Sequence, residues 1–220
     1  MTEYRLIIGS CNYSSWSMRG WLILRQSGLP FETTYLPAGT ADFPDAVAAY
    51  PPARLVPILV AGSNLVWDSP AIAETVAEWA PDAPLWPDNP DNPDDRAVAR
   101  SLCAEMHAGF PALREHLPMN IRARLPGKGQ GPGVDADIER IAALWRFARS
   151  RVAGDGAFLL GAYGLADIFY APVALRLRTY APPLPDFAAA YIDALVGHPH
   201  VAEWIAAAKS ETITLPQYEL

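Results

Sequence analysis

The sequence predicts a small α/β domain followed by an all-helical domain. Strand-like and helix-like segments alternate up to about residue 81. A stretch rich in Pro, Asp and Asn then intervenes, PDAPLWPDNPDNPDD at residues 81–95. Beyond it, the apolar residues recur at helical spacing to the C-terminus.

In order, Tyr4–Ile8 reads as a buried strand. Residues 14–26 read as a helix carrying Trp16, Leu22 and Ile23, stopped by Gly28 with Pro30 just beyond. Residues 31–36 have the β-branched and aromatic content of a second strand. Residues 42–50 read as a short helix closed by Pro51-Pro52. Residues 56–60 form a strand opened by Pro57, residues 61–64 a turn, and residues 65–67 the returning strand. Asp68-Ser69-Pro70 opens a helix to Trp79, because a capping residue followed by Pro marks a helix start. One β-α-β unit must be parallel, and the last two strands form a hairpin. The domain boundaries expected are residues 1–81, a linker at 82–93, and 94–220.

In the second half, residues 96–117 read as one long helix bent at Pro111. LPGKGQGPG, residues 125–133, reads as a flexible loop. Helices are expected at 135–152, 165–180, 186–196 and 201–209.

Composition narrows the function classes. The formal charge of −7 argues against general nucleic-acid binding, which needs a basic face. No apolar run reaches the roughly 18 residues of a membrane span. Met1-Thr2-Glu3-Tyr4 lacks the features of a signal peptide, so a cytoplasmic location is expected. The two cysteines, Cys11 and Cys103, are too few for a disulfide framework or a thiolate zinc site. The four histidines form no His-x-x-x-His pair, and no metal site is expected. No Gly-rich dinucleotide turn or phosphate loop is present.

The segment with most chemical content is SCNYSSWSMR, residues 10–19. It joins the first strand to the first helix with a thiol, an amide and several hydroxyls, and its first charged residue is Arg19. A helix N-terminus favours an anion by about 0.3–1 kcal/mol. Holding a thiol ionised at pH 7, from a free value of about 8.5, needs about 2.7 kcal/mol. One or two hydrogen bonds to the sulfur, each about 1.5–3 kcal/mol, close that gap. Asn12, Ser14 and Ser15 are suitable donors, although Asn12 or Ser14 can equally serve as a simple helix cap. Val56-Pro57 can present its main chain to an extended peptide if the bond is cis. Asp68-Ser69 caps a helix and can also hold a ligand's ammonium and carboxylate groups.

Taken together, NYSSWSMR, GLPFE, ARLVPIL, DSPAIAE, LWPDNPDNPDDRAVAR and GLADIFYAPVALRLRTY resemble the glutathione transferase superfamily over nearly the whole chain. The resemblance implies a thioredoxin-like N-terminal domain and an all-α helical-bundle C-terminal domain. It implies glutathione as co-substrate, a small electrophile as second substrate, no metal, and a homodimer. It places Arg54, Val56, Pro57, Asp68 and Ser69 at the glutathione site. The sulfur falls at the first helix start, among Cys11, Asn12, Ser14 and Ser15. SSWSMR looks most like the serine-type starts of zeta-class enzymes, which include maleylacetoacetate isomerases. Aligned on Trp16 and Arg19, however, Asn12 takes the usual position of the catalytic serine. A one-residue shift sets Cys11-Asn12-Tyr13-Ser14 against the Cys-Pro-Tyr-Cys motif of glutaredoxins, with Cys11 as a redox nucleophile. Three activities follow: thiolate addition, thiol-disulfide exchange through Cys11, or a non-catalytic binding role. Met106, His107, Phe110 and Leu113 are candidates for the electrophile pocket, with Arg176 or Arg178 to attract a carboxylate. The usual Ser-x-x-Asp helix cap is here Gly164-Leu165-Ala166-Asp167, which lacks the side-chain oxygen of the Ser.

Overall fold

The computed structural model describes residues 4–90, 92–152 and 156–220. The first part contains β1 (Tyr4–Ile8), α1 (Ser15–Ser27), β2 (Phe31–Tyr35), α2 (Phe43–Val47), β3 (Ile58–Ala61), β4 (Asn64–Val66) and α3 (Ser69–Trp79). Its sheet has the order β2-β1-β3-β4. β1 and β2 are parallel across α1, whereas β3 runs antiparallel to β1 and pairs with β4 in a hairpin. Leu6 and Ile8 turn one face of β1 towards α1 and α3. Ile7 turns the other way, onto a small cluster with Val47, Ala53 and Ile58. Alternation along one strand thus feeds two cores. This is a thioredoxin-like arrangement, after which the elements among the described residues are all helices.

The helices are α4 (Asp95–Ala108), α5 (Pro111–His116), α6 (Val134–Arg149), α7 (Leu165–Tyr180), α8 (Asp186–Gly197) and α9 (Pro199–Ser210). α7 is the axis: of its residues only Arg178 is not buried. It packs against α1, α4 and α8. One apolar cluster therefore runs from Leu6 in β1 to Ala208 in α9 without a break between the two halves. The start of α7 is satisfied internally. Asp167 Oδ2 accepts the Gly164 N–H at 3.1 Å, and Oδ1 accepts the Leu159 N–H at 3.0 Å and the Tyr191 hydroxyl at 2.9 Å. Gly164 contributes no side-chain oxygen, so only the acidic half of a capping box forms. Burial pushes the Asp167 carboxyl up to about 6, against these three hydrogen bonds.

Two expectations need correction. The helix expected over residues 96–117 is two helices, α4 and α5, and the chain breaks rather than bends. Gly109 is extended and Phe110 is left-handed at φ 63°, ψ 52°. Pro111 disfavours the helical conformation at the residue before it, and Phe110 escapes to positive φ. The loop 125–133 is tied to the end of α7, with the Leu125 N–H donating to Thr179 O and the Gly127 N–H to Tyr180 O, both at 2.8 Å. Among the described residues no helix is long and apolar enough to cross a membrane.

Candidate functional site

A cavity of about 750 Å³ opens between the two halves. That volume falls within the usual range for small-molecule sites, about 300–1,000 Å³. Three local features from the first half meet there. The first is the β1–α1 turn. Ser14 is the N-cap of α1: its Oγ accepts the Ser17 N–H at 3.2 Å and lies 2.8 Å from Ser17 Oγ, to which it donates. Ser17 Oγ in turn accepts the Gly9 N–H at 2.9 Å. Ser14 is only half-buried and, with Ser15, lines the cavity.

The second feature is Val56-Pro57, joined by a cis peptide and also on the cavity wall. Among the described residues no hydrogen bond uses the main-chain N–H or C=O of Val56. The third is the start of α3. Asp68 lines the cavity, and its Oδ1 accepts the Ser69 N–H. Its Oδ2 lies 3.5 Å from His107 Nε2 on α4. Ser69 itself sits just behind this wall. It is fully buried, and its hydroxyl has no hydrogen-bond partner. Such groups are rare in folded proteins and ask for an explanation.

The helical half supplies positive charge. Arg176 on α7 is buried, lines the cavity, and donates to Leu117 O at 2.8 Å and Ser15 Oγ at 3.3 Å. Arg114 on α5 also lines it and lies over the Trp16 ring at 4.8 Å. Arg19 covers Trp16 at 4.6 Å and Phe169 at 5.0 Å, and none of its nitrogens has a hydrogen-bond partner. Burial, reinforced by repulsion among these arginines, pushes Arg19 and Arg176 down to about 9 each. His107 is lowered by burial, partly opposed by Asp68, and its Nδ1 is buried without a partner.

Family models described as the N-terminal and the C-terminal domain of glutathione S-transferase match residues 13–79 and 131–207, between them more than half of the chain. The chain belongs to the glutathione S-transferase family. The glutathione S-transferase-like protein OpS6 of Beauveria bassiana (strain ARSEF 2860) is 28% identical over 208 residues, covering 86% of this chain and 83% of that protein. Among solved structures, a glutathione transferase homolog from Burkholderia with bound glutathione superimposes with a TM-score of 0.68 at 23% identity. That match covers 95% of this chain and all of that one (100%). A bacterial zeta-class maleyl pyruvate isomerase in its holo form gives a TM-score of 0.71 at 21% identity, with coverage of 95% and 100%. At these identities the structural likenesses concern the fold.

Of the residues singled out in the sequence, Ser14, Ser15, Arg54, Val56, Pro57, Asp68, His107 and Arg176 line the one cavity. The others lie elsewhere. Asn12 is fully buried and faces the helical half: its Nδ2 donates to Asn120 Oδ1 and its Oδ1 accepts the Arg122 N–H, both at 2.9 Å. Its side chain is spent on this contact. Cys11 is also off the cavity wall, with Sγ 3.7 Å from the Tyr35 hydroxyl, and burial pushes its thiol up to about 11. A nucleophilic cysteine needs the opposite shift. Met106, Phe110 and Leu113 are packed into the apolar core, and Arg178 is exposed away from the cavity.

The turn also corrects the expectation that its amides wait for an external anion. The Cys11 and Asn12 N–H groups both donate to the carboxylate of Glu211, at 2.6 and 3.0 Å. Arg114, Glu211 and Tyr218 had no sequence signal, because each reaches the site from a distant part of the chain.

Proposed function

We propose that the protein binds glutathione, ionises its thiol at the start of α1, and presents the thiolate to a small electrophile from the helical half. The observation that carries this reading is the convergence of Ser14, Val56 and Asp68 on one cavity. Val56 offers an unpaired main-chain N–H and C=O to the cysteinyl residue of the tripeptide. Asp68 and the unpartnered Ser69 hydroxyl suit the ammonium and carboxylate of the γ-glutamyl end, and Arg54 adds a positive charge on the same wall. Ser14 meets the sulfur: its hydroxyl turns from Ser17 to the incoming thiolate, and Ser17 reverses to donate to Ser14. Ser15, at the first position of α1, adds the helix N-terminus. On this reading residues 1–81 form the glutathione-binding domain and 94–220 carry the electrophile site. The working form is a cytoplasmic homodimer, as the family resemblance implies.

A narrower reading, in which the electrophile bears a carboxylate as in a maleylacetoacetate-type cis-trans isomerisation, is favoured by one observation. Arg114 and Arg176 line the site with Arg19 buried close behind them, and among the described residues Asp68 is the only acidic side chain on the cavity wall. An anion there relieves their repulsion.

The test is an ultraviolet difference titration of the thiolate with glutathione bound, in the wild type and in Cys11→Ser. A bound thiolate is expected roughly two pH units below the free value of about 8.5 in both proteins. A signal that disappears with Cys11 transfers the chemistry to thiol-disulfide exchange. Absence of a bound thiolate in both leaves a binding protein.

A further inference from the structure

Asp68 and His107 meet across the cavity from different halves of the chain. Asp68 is the N-cap of α3, and its two oxygens have separate surroundings. Oδ1 accepts the Ser69 N–H, whereas Oδ2 lies 3.5 Å from His107 Nε2 on α4. Both side chains line the cavity, Asp68 half exposed and His107 partly buried. The Trp16 ring meets the imidazole edge to face, with centroids 5.2 Å apart and planes at 76°, which fixes the ring from the α1 side. The second ring nitrogen, Nδ1, is buried without a partner. A neutral ring with its hydrogen on Nε2 suits this setting: it points a donor at Oδ2 and leaves only a lone pair at Nδ1. A second proton has to sit on Nδ1, where no acceptor meets it. The charged groups facing the ring come from three elements: Asp68 from α3, Arg19 from α1 and Arg114 from α5. Asp68 attracts an imidazolium and the two guanidiniums repel it. α7, which also packs on α4, brings Arg176 to the same cavity wall. Burial is the largest influence, and with the arginines it holds the imidazole below its ordinary 6.5.

We infer that His107 is a positioning residue for the ammonium of the tripeptide, acting through Asp68: neutral, it leaves Oδ2 to the ligand, and protonated, it claims Oδ2 and expels the ammonium. The inference rests on the glutathione reading above and adds an acid limit to binding. Oδ1 is already committed to the Ser69 N–H, so Oδ2 is the oxygen left for an incoming cation. An imidazolium at 3.5 Å from that oxygen and an ammonium bound to it are like charges on one acceptor, and they repel. The sign follows. Affinity is full where the ring is neutral and falls as pH drops through the imidazole's titration. The coupling is reciprocal, so a ligand that binds at acid pH drives a proton off His107. The role sets His107 at the glutathione end of the cavity rather than against the electrophile.

Calorimetric affinities for S-methylglutathione, whose thioether cannot ionise, test this without requiring turnover. They are measured from about pH 7.5 to about pH 5 on the full-length wild type, His107→Gln and His107→Asn, the two variants differing in size but both uncharged. In the wild type the affinity should fall about fivefold on acidification, and in either variant it should stay within about twofold. A merely structural role for His107 lowers affinity or melting temperature by the same amount at every pH and leaves the slope alone. A wild-type affinity that does not change with pH overturns the inference, and so does a fall of the same size in a folded variant; both leave the glutathione reading standing. A wild type that binds neither S-methylglutathione nor glutathione at any pH in the range overturns that reading itself.

Discussion

The turn before α1 and the start of α3 face the same cavity, both are polar, and they are used in opposite ways. Around the turn the N–H groups from Cys11 to Ser14 all have acceptors inside the protein. Ser10 Oγ accepts the Asn12 and Tyr13 N–H groups at 3.1 and 3.2 Å, and Glu211 takes the Cys11 and Asn12 N–H groups. At α3 the Asp68 carboxylate is half exposed, and the Ser69 hydroxyl is buried with nothing to bond. The contrast teaches that two polar helix starts on one cavity can differ in what remains to be satisfied: at the turn the partners are internal, whereas the buried Ser69 hydroxyl bears its desolvation unpaired. The start of α7 is the internal extreme, with Asp167 wholly occupied by three donors.

The largest effect should come from that extreme. Asp167→Ala strands the Leu159 and Gly164 N–H groups and the Tyr191 hydroxyl, and should cost about 4 kcal/mol, read as a lower denaturant midpoint. Its pH dependence has a definite sign. The folded carboxyl lies at about 6 against an ordinary 3.8, so the native state binds more proton between those values. Stability from this group should fall as pH rises through that window. Asp167→Asn should remove the decline in melting temperatures taken between pH 4 and 7.

Next is Ser14→Ala. On the proposed function, turnover should fall about 100-fold, since a donor to a developing charge is lost. Glutathione affinity should stay within a few-fold, and loss of the N-cap should cost about 1 kcal/mol. Steady-state rates beside calorimetric affinity separate these effects; unchanged turnover removes Ser14 from the chemistry.

The smallest and most discriminating change is Ser69→Ala. If the hydroxyl waits for a ligand, glutathione should bind about tenfold more weakly, while the melting temperature holds or rises slightly. A clear loss of stability would break the comparison, because it would show that the hydroxyl already has an internal duty.

The elements legible in the sequence were those whose signals are local. Gly28 after α1, Asp68-Ser69-Pro70 before α3 and the alternating burial in β1 each lie within a few residues of what they specify. The same holds for Ser14, Val56 and Asp68, which sit at strand and helix ends where the motif and the geometry coincide. The long helix over 96–117 was misread because its apolar periodicity runs through Gly109-Phe110-Pro111. Only the left-handed backbone at Phe110 reveals the break.

By itself the sequence determined the order of strands and helices, the parallel unit and hairpin, the net negative charge, and the family resemblance. These follow from short-range sterics, periodicity and composition. Only the tertiary structure decided which polar residues face the cavity. Asn12 and Ser14 are two residues apart, yet one is locked to Asn120 and Arg122 and the other faces the open site. Glu211 reaches Ser10 across 201 residues of chain. The reason is physical: a hydrogen-bond donor is satisfied by whatever acceptor the packed core brings near, and the packing of α7 against α1 and α9 against the turn is set by the whole apolar cluster rather than by local sequence.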